Sequence, residues 1–325
     1  MNILVAGGAG YIGSCCTEYL IDRGHNVVVY DALITGHREA VDERAIDFIH
    51  ADLADSEKLA HTLLEYEIEG IIHFAAFSLV GESMEKPGKY FDNNVGTGVK
   101  LLQTAFESGV RKIVFSSTAA TYGMPENIPI QESERTRPIN PYGESKLMFE
   151  KILEWYHKIH DLDYCALRYF NAAGACKQFG EDHNPETHLI PIVLQAAAGQ
   201  RPNVKIFGTD YDTPDGTCIR DYIHVTDLAQ AHLQALESDA VGSFNLGSGT
   251  GFSVREIIDV AREVTGREIP VEEADRRAGD PPRLISDSTA VKDVLGWTPL
   301  YDDVRKIVED AWIWKRDHPD GYAKD

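Results

Sequence analysis

Tyr142 and Lys146 stand four residues apart in Tyr142-Gly143-Glu144-Ser145-Lys146, at the head of a stretch patterned as a long helix. Residues at that spacing share a helix face, so a phenol and an ammonium come within reach of each other. A phenol with a pKa of about 10 is a poor base at neutral pH, and bringing it near 7 takes roughly 4 kcal/mol. One cation about 4 Å away supplies on the order of 4 kcal/mol at an effective dielectric of 20. A tyrosine beside a lysine, helped by a positively charged ligand, can therefore serve as a general base. Alone the pair is a weak signal, since a Tyr and a Lys one turn apart are most often surface residues. It gains weight from Ser116-Ser117-Thr118, a hydroxyl-rich strand end upstream.

A second pattern supplies the positive ligand. Gly7-Gly8-Ala9-Gly10-Tyr11-Ile12-Gly13 satisfies G-x-x-G-x-x-G and, from Gly8, G-x-G-x-x-G. Such a loop, between a buried strand and a helix, lets the backbone approach a pyrophosphate that rests on the helix N-terminus. Asp31 ends the next strand-like run, 18 residues after Gly13. A carboxylate there accepts from ribose hydroxyls and repels a 2′-phosphate, so NAD is expected over NADP. Asp52-Leu53 follows the third run, where an Asp could meet adenine, although a bare Asp-Leu pair is no signal in itself.

The elements that must hold these groups alternate along the first half. Asn2–Ala6, Asn26–Tyr30, Phe48–Ala51, Gly70–Phe74, Lys112–Ser116 and Tyr164–Tyr169 read as strands. Gly13–Arg23, Asn93–Ser108 and Tyr142–His160 read as helices. That alternation predicts an α/β fold, a doubly wound parallel sheet of Rossmann type covered on both faces. Beyond about Asn171 the connections lengthen and become rich in Gly, Pro and Asp. The expected organisation is a dinucleotide-binding domain over 1–170 and a smaller α/β substrate-binding domain over 171–325, with parts of 220–240 packing back on the first.

Composition narrows the partners. The 325 residues carry 31 Lys and Arg against 52 Asp and Glu, a net charge of −21. Nucleic acids and anionic membranes need a basic face, so neither is expected as a partner. Five scattered cysteines without a C-x-x-C suggest reduced thiols rather than disulfides or a zinc site. The apolar start Met1–Gly7 lacks a cationic segment, and no apolar run approaches the roughly 18 residues that span a bilayer. A cytoplasmic protein is expected. The histidines show no H-x-x-x-H beside a carboxylate, and no metal site is expected.

The glycine loop, Asp31, Thr118 with Thr121-Tyr122-Gly123, and Tyr142 with Lys146 together resemble the extended short-chain dehydrogenase/reductase family, within it the UDP-hexose 4-epimerase branch. Further matching segments are Phe74-Ala75-Ala76, Asn93-Asn94-Val95, Asn140-Pro141-Tyr142-Gly143, Arg168-Tyr169-Phe170-Asn171 and Gly216 through Val225. The resemblance runs along essentially the whole chain. It implies that Gly7, Gly10, Tyr11, Ile12 and Gly13 hold the NAD pyrophosphate. Asp31, Ala32, Leu33, Thr35 and Gly36 would surround the adenosine ribose, and Asp52 and Leu53 the adenine. Phe74, Ala75, Ala76, Ser78, Asn93, Lys146 and Phe170 would hold the remainder. Tyr142 would be the base, with Thr118 as its partner on the sugar O4. Asn171, His188, Leu189, Lys205, Phe207, Arg220, Tyr222, Arg277, Asp280 and Leu284 would line the UDP-sugar pocket, the two arginines meeting the diphosphate.

The implied reaction takes hydrogen from C4 to NAD, lets the 4-keto sugar turn over, and returns the hydrogen to the opposite face. UDP-glucose and UDP-galactose are thereby interconverted, and the family usually forms homodimers. Dehydratases of the same scaffold need an added acid after the strand-end threonine, and here the residues are Thr118-Ala119-Ala120. A UDP-glucuronate 4-epimerase keeps the same catalytic set and is the alternative. A non-catalytic NAD-binding sensor is the alternative of a different class. Three residues depart from the resemblance. Ser78 replaces a basic residue of several epimerases, and His188 stands where others have Asn, as a neutral donor. Leu284 replaces a bulky Tyr gate, so UDP-GlcNAc and UDP-GalNAc are expected as further substrates.

Overall fold

A computed structural model describes residues 1–277 and 279–322. The first half builds β1 (Asn2–Ala6), α1 (Tyr11–Ile21), β2 (Asn26–Asp31), β3 (Asp47–His50), α2 (Ser56–Glu65), β4 (Gly70–His73), α3 (Val80–Glu85), α4 (Pro87–Tyr90), α5 (Gly98–Glu107), β5 (Lys112–Thr118), α6 (Pro141–His160) and β6 (Asp163–Tyr169). The second half adds β7 (Asn171–Ala173), α7 (Leu189–Ala197), β8 (Val204–Phe207), β9 (Ile219–His224), α8 (Val225–Glu237), β10 (Gly242–Leu246), β11 (Gly251–Ser253), α9 (Val254–Thr265), β12 (Val271–Ala274), β13 (Arg283–Leu284), α10 (Thr289–Leu295) and α11 (Val304–Asp317).

Seven parallel strands form the main sheet in the order β10-β6-β5-β4-β1-β2-β3. The chain alternates sides along β1, where Ile3 and Val5 join one core and Leu4 and Ala6 the other. Burial on both faces explains why these strands read as unbroken apolar runs. The seventh strand, β10, and the helix α8 that packs on α1 both come from the second half of the chain. A second sheet groups β11, β9, β13 and β7, and β8 pairs with β12. Their core is closed by α7, α9 and α11.

The order reverses between β1 and β4, which leaves a crevice at the carboxyl ends of the strands. Four ends meet there: Ala6, His73, Thr118 and Tyr169. Only Phe170 separates β6 from β7, so the main sheet leads directly into the second. The helix expected over Asn93–Ser108 starts earlier. Pro87 opens it, and Phe91–Thr97 is π-helical between α4 and α5. Such wide turns commonly sit at functional sites.

Candidate active site

The glycine loop turns between β1 and α1. A Cβ on Gly7 would lie 2.5 Å from the Ala75 nitrogen, and one on Gly13 2.1 Å from the Gly7 carbonyl oxygen. Gly10 caps α1 without any side-chain hydrogen bond. The helix N-terminus therefore offers backbone amides to an anion, as a pyrophosphate requires. Asp31 braces this loop, accepting from Ala9 N at 3.0 Å and Leu33 N at 2.8 Å. Burial lifts its pKa above the usual range, against the pull of those amides. Leu33 holds a left-handed φ of 54°, an uncommon conformation for a branched side chain that pins the loop beside Asp31.

The other residues expected around the cofactor divide. Ala32, Gly36, Phe74, Ala75, Ala76, Asn93 and Phe170 are half-buried along the crevice, whereas Thr35, Asp52 and Ser78 are exposed. The Asp52 carboxylate caps its own turn through Ala54 N at 2.8 Å. Leu53 belongs to the core with Tyr30. Tyr11 is buried, its hydroxyl donating to Gly174 O at 2.7 Å, so its side chain faces the second half of the molecule. Asn93 donates to Asn94 Oδ1 at 3.0 Å. Asn94 binds both Phe77 N and Phe77 O and donates to Ser145 Oγ at 3.0 Å. It thus ties the Phe74–Ser78 segment to α6, a role its place beside Asn93 did not reveal.

Asn140 caps α6, accepting from Gly143 N at 2.8 Å, and Pro141 fills the first helical position. Gly143 lets the helix meet the end of β5, since a Cβ there would lie 2.5 Å from Ala120 O. This contact brings Tyr142 to Thr118. Burial raises the Tyr142 phenol, and hydrogen bonding to Thr118 opposes that rise. Lys146, one turn further along α6, reaches the end of β5. Its Nζ donates to Ser116 O at 2.7 Å and sits 4.7 Å over the Phe115 ring. Burial pulls its own pKa down to about 7, partly offset by Glu150. An enclosed site penalises the charged form of both groups.

His73 ends β4 under this pair, between Phe115 and Phe149, and its Nδ1 has no hydrogen-bond partner among the described residues. Burial, with Lys146 adding to it, holds it down to about 3, and His232 is held at about 4 by burial. Both are neutral in the fold and titrate near 6.5 when unfolded, so their contribution is complete above pH 6.5 and is lost as pH falls. From pH 7 to pH 5 each should cost about 2 kcal/mol of stability. Denaturation curves at the two pH values should show the fall, and His73→Leu should remove its share. An undiminished fall in that variant would refute the assignment.

Most of the residues expected around the second ligand lie on or beside the smaller sheets. Arg220, on β9, ion-pairs with Asp280 and donates to Ile219 O at 2.8 Å. Arg277 stacks 3.9 Å over the Phe207 ring. Asn171 donates to Asp221 O at 2.8 Å, Tyr222 is buried beside it, and Leu284 pairs in register with Arg220. Lys205 shares the open face of β8 with Phe207 but is exposed, 3.5 Å from Glu272 across the strand pair. Leu189 opens α7.

His188 turns toward two carboxylates. Its Nδ1 lies 2.7 Å from Glu181 and 3.2 Å from Glu186. Burial opposes its charge, but the two carboxylates prevail and lift it to about 10.

A glycine cradle on a doubly wound sheet, a Tyr–Lys pair at the adjoining strand end and an arginine-lined pocket opposite define a dinucleotide-dependent enzyme with a second, anionic ligand. Comparison with known proteins agrees. The model of the NAD dependent epimerase/dehydratase family matches residues 3–247, and the chain belongs to that family. It is 53% identical to a UDP-glucose 4-epimerase of Lacticaseibacillus casei, over 99% of both chains. A crystal structure of a UDP-glucose 4-epimerase superposes with a TM-score of 0.97 at 52% identity, over 100% of both chains. A UDP-glucose 4-epimerase from Brucella ovis in complex with NAD gives 0.93 at 48% identity, over 96% of this chain and 97% of that one.

Proposed function

We propose that the chain is an NAD-dependent UDP-glucose 4-epimerase, interconverting UDP-glucose and UDP-galactose. One observation carries the reading: Tyr142 and Thr118 meet at the end of β5 beside the glycine cradle, and the turn after Thr118 bears no carboxylate. That is a site for moving one proton on and off a sugar hydroxyl. Elimination would need a further acid.

NAD, when bound, accepts hydrogen with its electron pair from C4 of the sugar and returns it. The residues that would hold it are the α1 amides, Asp31, Asn93 and Lys146. Thr118 orients the O4 hydroxyl toward Tyr142, which takes that proton and later gives it back. Arg220, steadied by Asp280, and Arg277, steadied by Phe207, would clamp the diphosphate so that the sugar can turn while the nucleotide stays. The full-length likeness to UDP-glucose 4-epimerases does not favour the UDP-glucuronate alternative. Retention of both Tyr142 and Lys146, one turn apart on α6, disfavours a sensor.

Leu284, half-buried beside Arg220, leaves more room than a tyrosine, and UDP-GlcNAc and UDP-GalNAc belong among the substrates. Product analysis with all four UDP-sugars, without added cofactor, tests both statements. Both hexose and N-acetylhexosamine pairs should be interconverted, and Leu284→Tyr should suppress the second pair alone. No conversion of UDP-galactose would overturn the main reading. Conversion of hexoses only would overturn the wider one.

Met148, Trp155 and Ile159 form an exposed apolar stripe along one face of α6, which supports a homodimer built through that helix. Sedimentation of a monomer at micromolar concentration would count against it. Five unpaired cysteines, four of them buried, support a reducing, cytoplasmic setting. Among the described residues, no helix is long and apolar enough to cross a membrane.

A further inference from the structure

Glu181, His183, Glu186 and His188 lie on the long connection between β7 and α7. Each presents one ligand atom, and all four atoms fall within 4.8 Å of one another. Both imidazoles turn Nδ1 toward the same two carboxylates. His183 is 3.2 Å from Glu181 and 3.8 Å from Glu186, and His188 is 2.7 Å and 3.2 Å from them. Two ligands bound at about 2.0–2.1 Å to a tetrahedral zinc ion lie about 3.3 Å apart. Both imidazoles face the same Glu181 oxygen, at 3.2 Å and 2.7 Å, close to that edge, while Glu186 meets His183 through one oxygen and His188 through the other.

We propose that these four residues bind one divalent transition-metal ion, with zinc the best match, in a closed four-coordinate site. The Glu181 and Glu186 side chains are only 7% and 2% exposed, so two carboxylates are buried side by side. Such a pair needs two positive charges close by. A divalent cation between neutral imidazoles supplies them and releases the protons that the histidines otherwise carry. Two nitrogens and two oxygens suit zinc and its neighbours, whereas calcium and magnesium take oxygen alone. The half-exposed His188 gives the ion a way in.

The surroundings make the site structural. The Tyr11 ring meets His183 edge-on with centroids 6.3 Å apart. Asp182, between two of the ligands, accepts from Tyr322 N at 3.0 Å and lies 3.6 Å from His37 Nε2. His188 is itself the cap of α7. One ion would therefore fasten the glycine-loop helix, the loop after β2 and the C-terminal segment to the helix that carries Leu189. Among the described residues none of the four ligands bonds to Tyr142 or Thr118, so the ion would hold the two halves together and take no part in proton transfer.

The test is metal analysis of protein purified without a histidine tag. About one zinc per chain is expected, as a closed structural site requires. Chelator should remove it and lower the Tm, and zinc alone should restore both. His183→Gln and Glu186→Gln should each weaken zinc binding at least about tenfold, with far-ultraviolet circular dichroism unchanged. Another transition metal at the same stoichiometry would support the site and rename the ion. Because a variant could also fail to fold, stripped wild-type protein is titrated with zinc in parallel. Absence of binding and of any Tm shift there would overturn the proposal and leave a cluster neutralised by protons.

Discussion

Tyr142→Phe should lower kcat for UDP-galactose by about three orders of magnitude, the middle of the range a positioned acid–base group contributes, while KM and Tm stay near the parent values. The phenylalanine ring fills the same space at the head of α6, so Gly143 still meets Ala120 and the Asn140 cap is kept. What disappears is the oxygen that faces Thr118. Stopped samples analysed for both UDP-sugars measure the loss, and a variant retaining a tenth of the parent rate would remove Tyr142 from its role. Lys146→Met separates two versions of the mechanism. Burial raises the Tyr142 phenol and lowers Lys146 to about 7. If ionisation of the two is coupled in the loaded site, a phenolate and an ammonium about 4 Å apart recover on the order of 4 kcal/mol at an effective dielectric of 20. Losing the ammonium then leaves the phenol high. The acid limb of the pH–rate profile should move upward, because a smaller fraction of Tyr142 is ionised at each pH. A rate that falls without any displacement of that limb would restrict Lys146 to holding the cofactor.

The reason Tyr142 and Lys146 could be read from the chain is that their relation is local. One helical turn fixes it, and Asn140-Pro141 marks where the helix starts. The glycine loop is legible for a similar reason, since its close contacts, such as Gly13 with the Gly7 carbonyl, lie within a few residues. Lys205 shows where local reasoning fails. Alternation along β8 places it on the same face as Phe207, but whether its ammonium reaches a ligand depends on Glu272, which arrives only through the pairing with β12. β10 is hidden in the same way: its pairing with β6 joins residues far apart in sequence and takes the second half of the chain back to the first sheet. The four-residue cluster at 181–188 escaped because its ligands occupy an irregular loop. Their spacing of two, three and two residues follows neither a helix nor a strand, so no periodicity announces that they converge.

Glu150→Ala should reduce the free energy of unfolding by about 3–5 kcal/mol, the cost of leaving one partner of a buried ion pair alone. Glu150 lies one turn after Lys146 on α6, and its side chain is 4% exposed. Its carboxylate takes Arg168 Nε at 3.0 Å and 3.2 Å, one bond to each oxygen, and also accepts from the Ser117 hydroxyl. Arg168 continues to the Tyr122 hydroxyl at 2.9 Å, and Tyr122 to Asn245 at 2.7 Å. One carboxylate thus joins α6, β5, β6 and β10 beneath the reacting groups, and it also supports the charge on Lys146. Truncation strands a guanidinium that has no water to turn to, so the loss should exceed that of a surface pair several-fold. Denaturant midpoints measure it. Glu150→Gln, which keeps the shape and part of the hydrogen bonding, should lose less. The double variant Glu150→Leu with Arg168→Met should recover much of the stability, since a matched apolar pair strands neither the guanidinium nor the carboxylate. Lys146 would still lack its carboxylate in that double variant, so its apparent pKa should fall below about 7 even where stability returns. Recovery of stability without recovery of the pH–rate profile is the result that assigns Glu150 both tasks, and full recovery of both would reduce it to a packing residue.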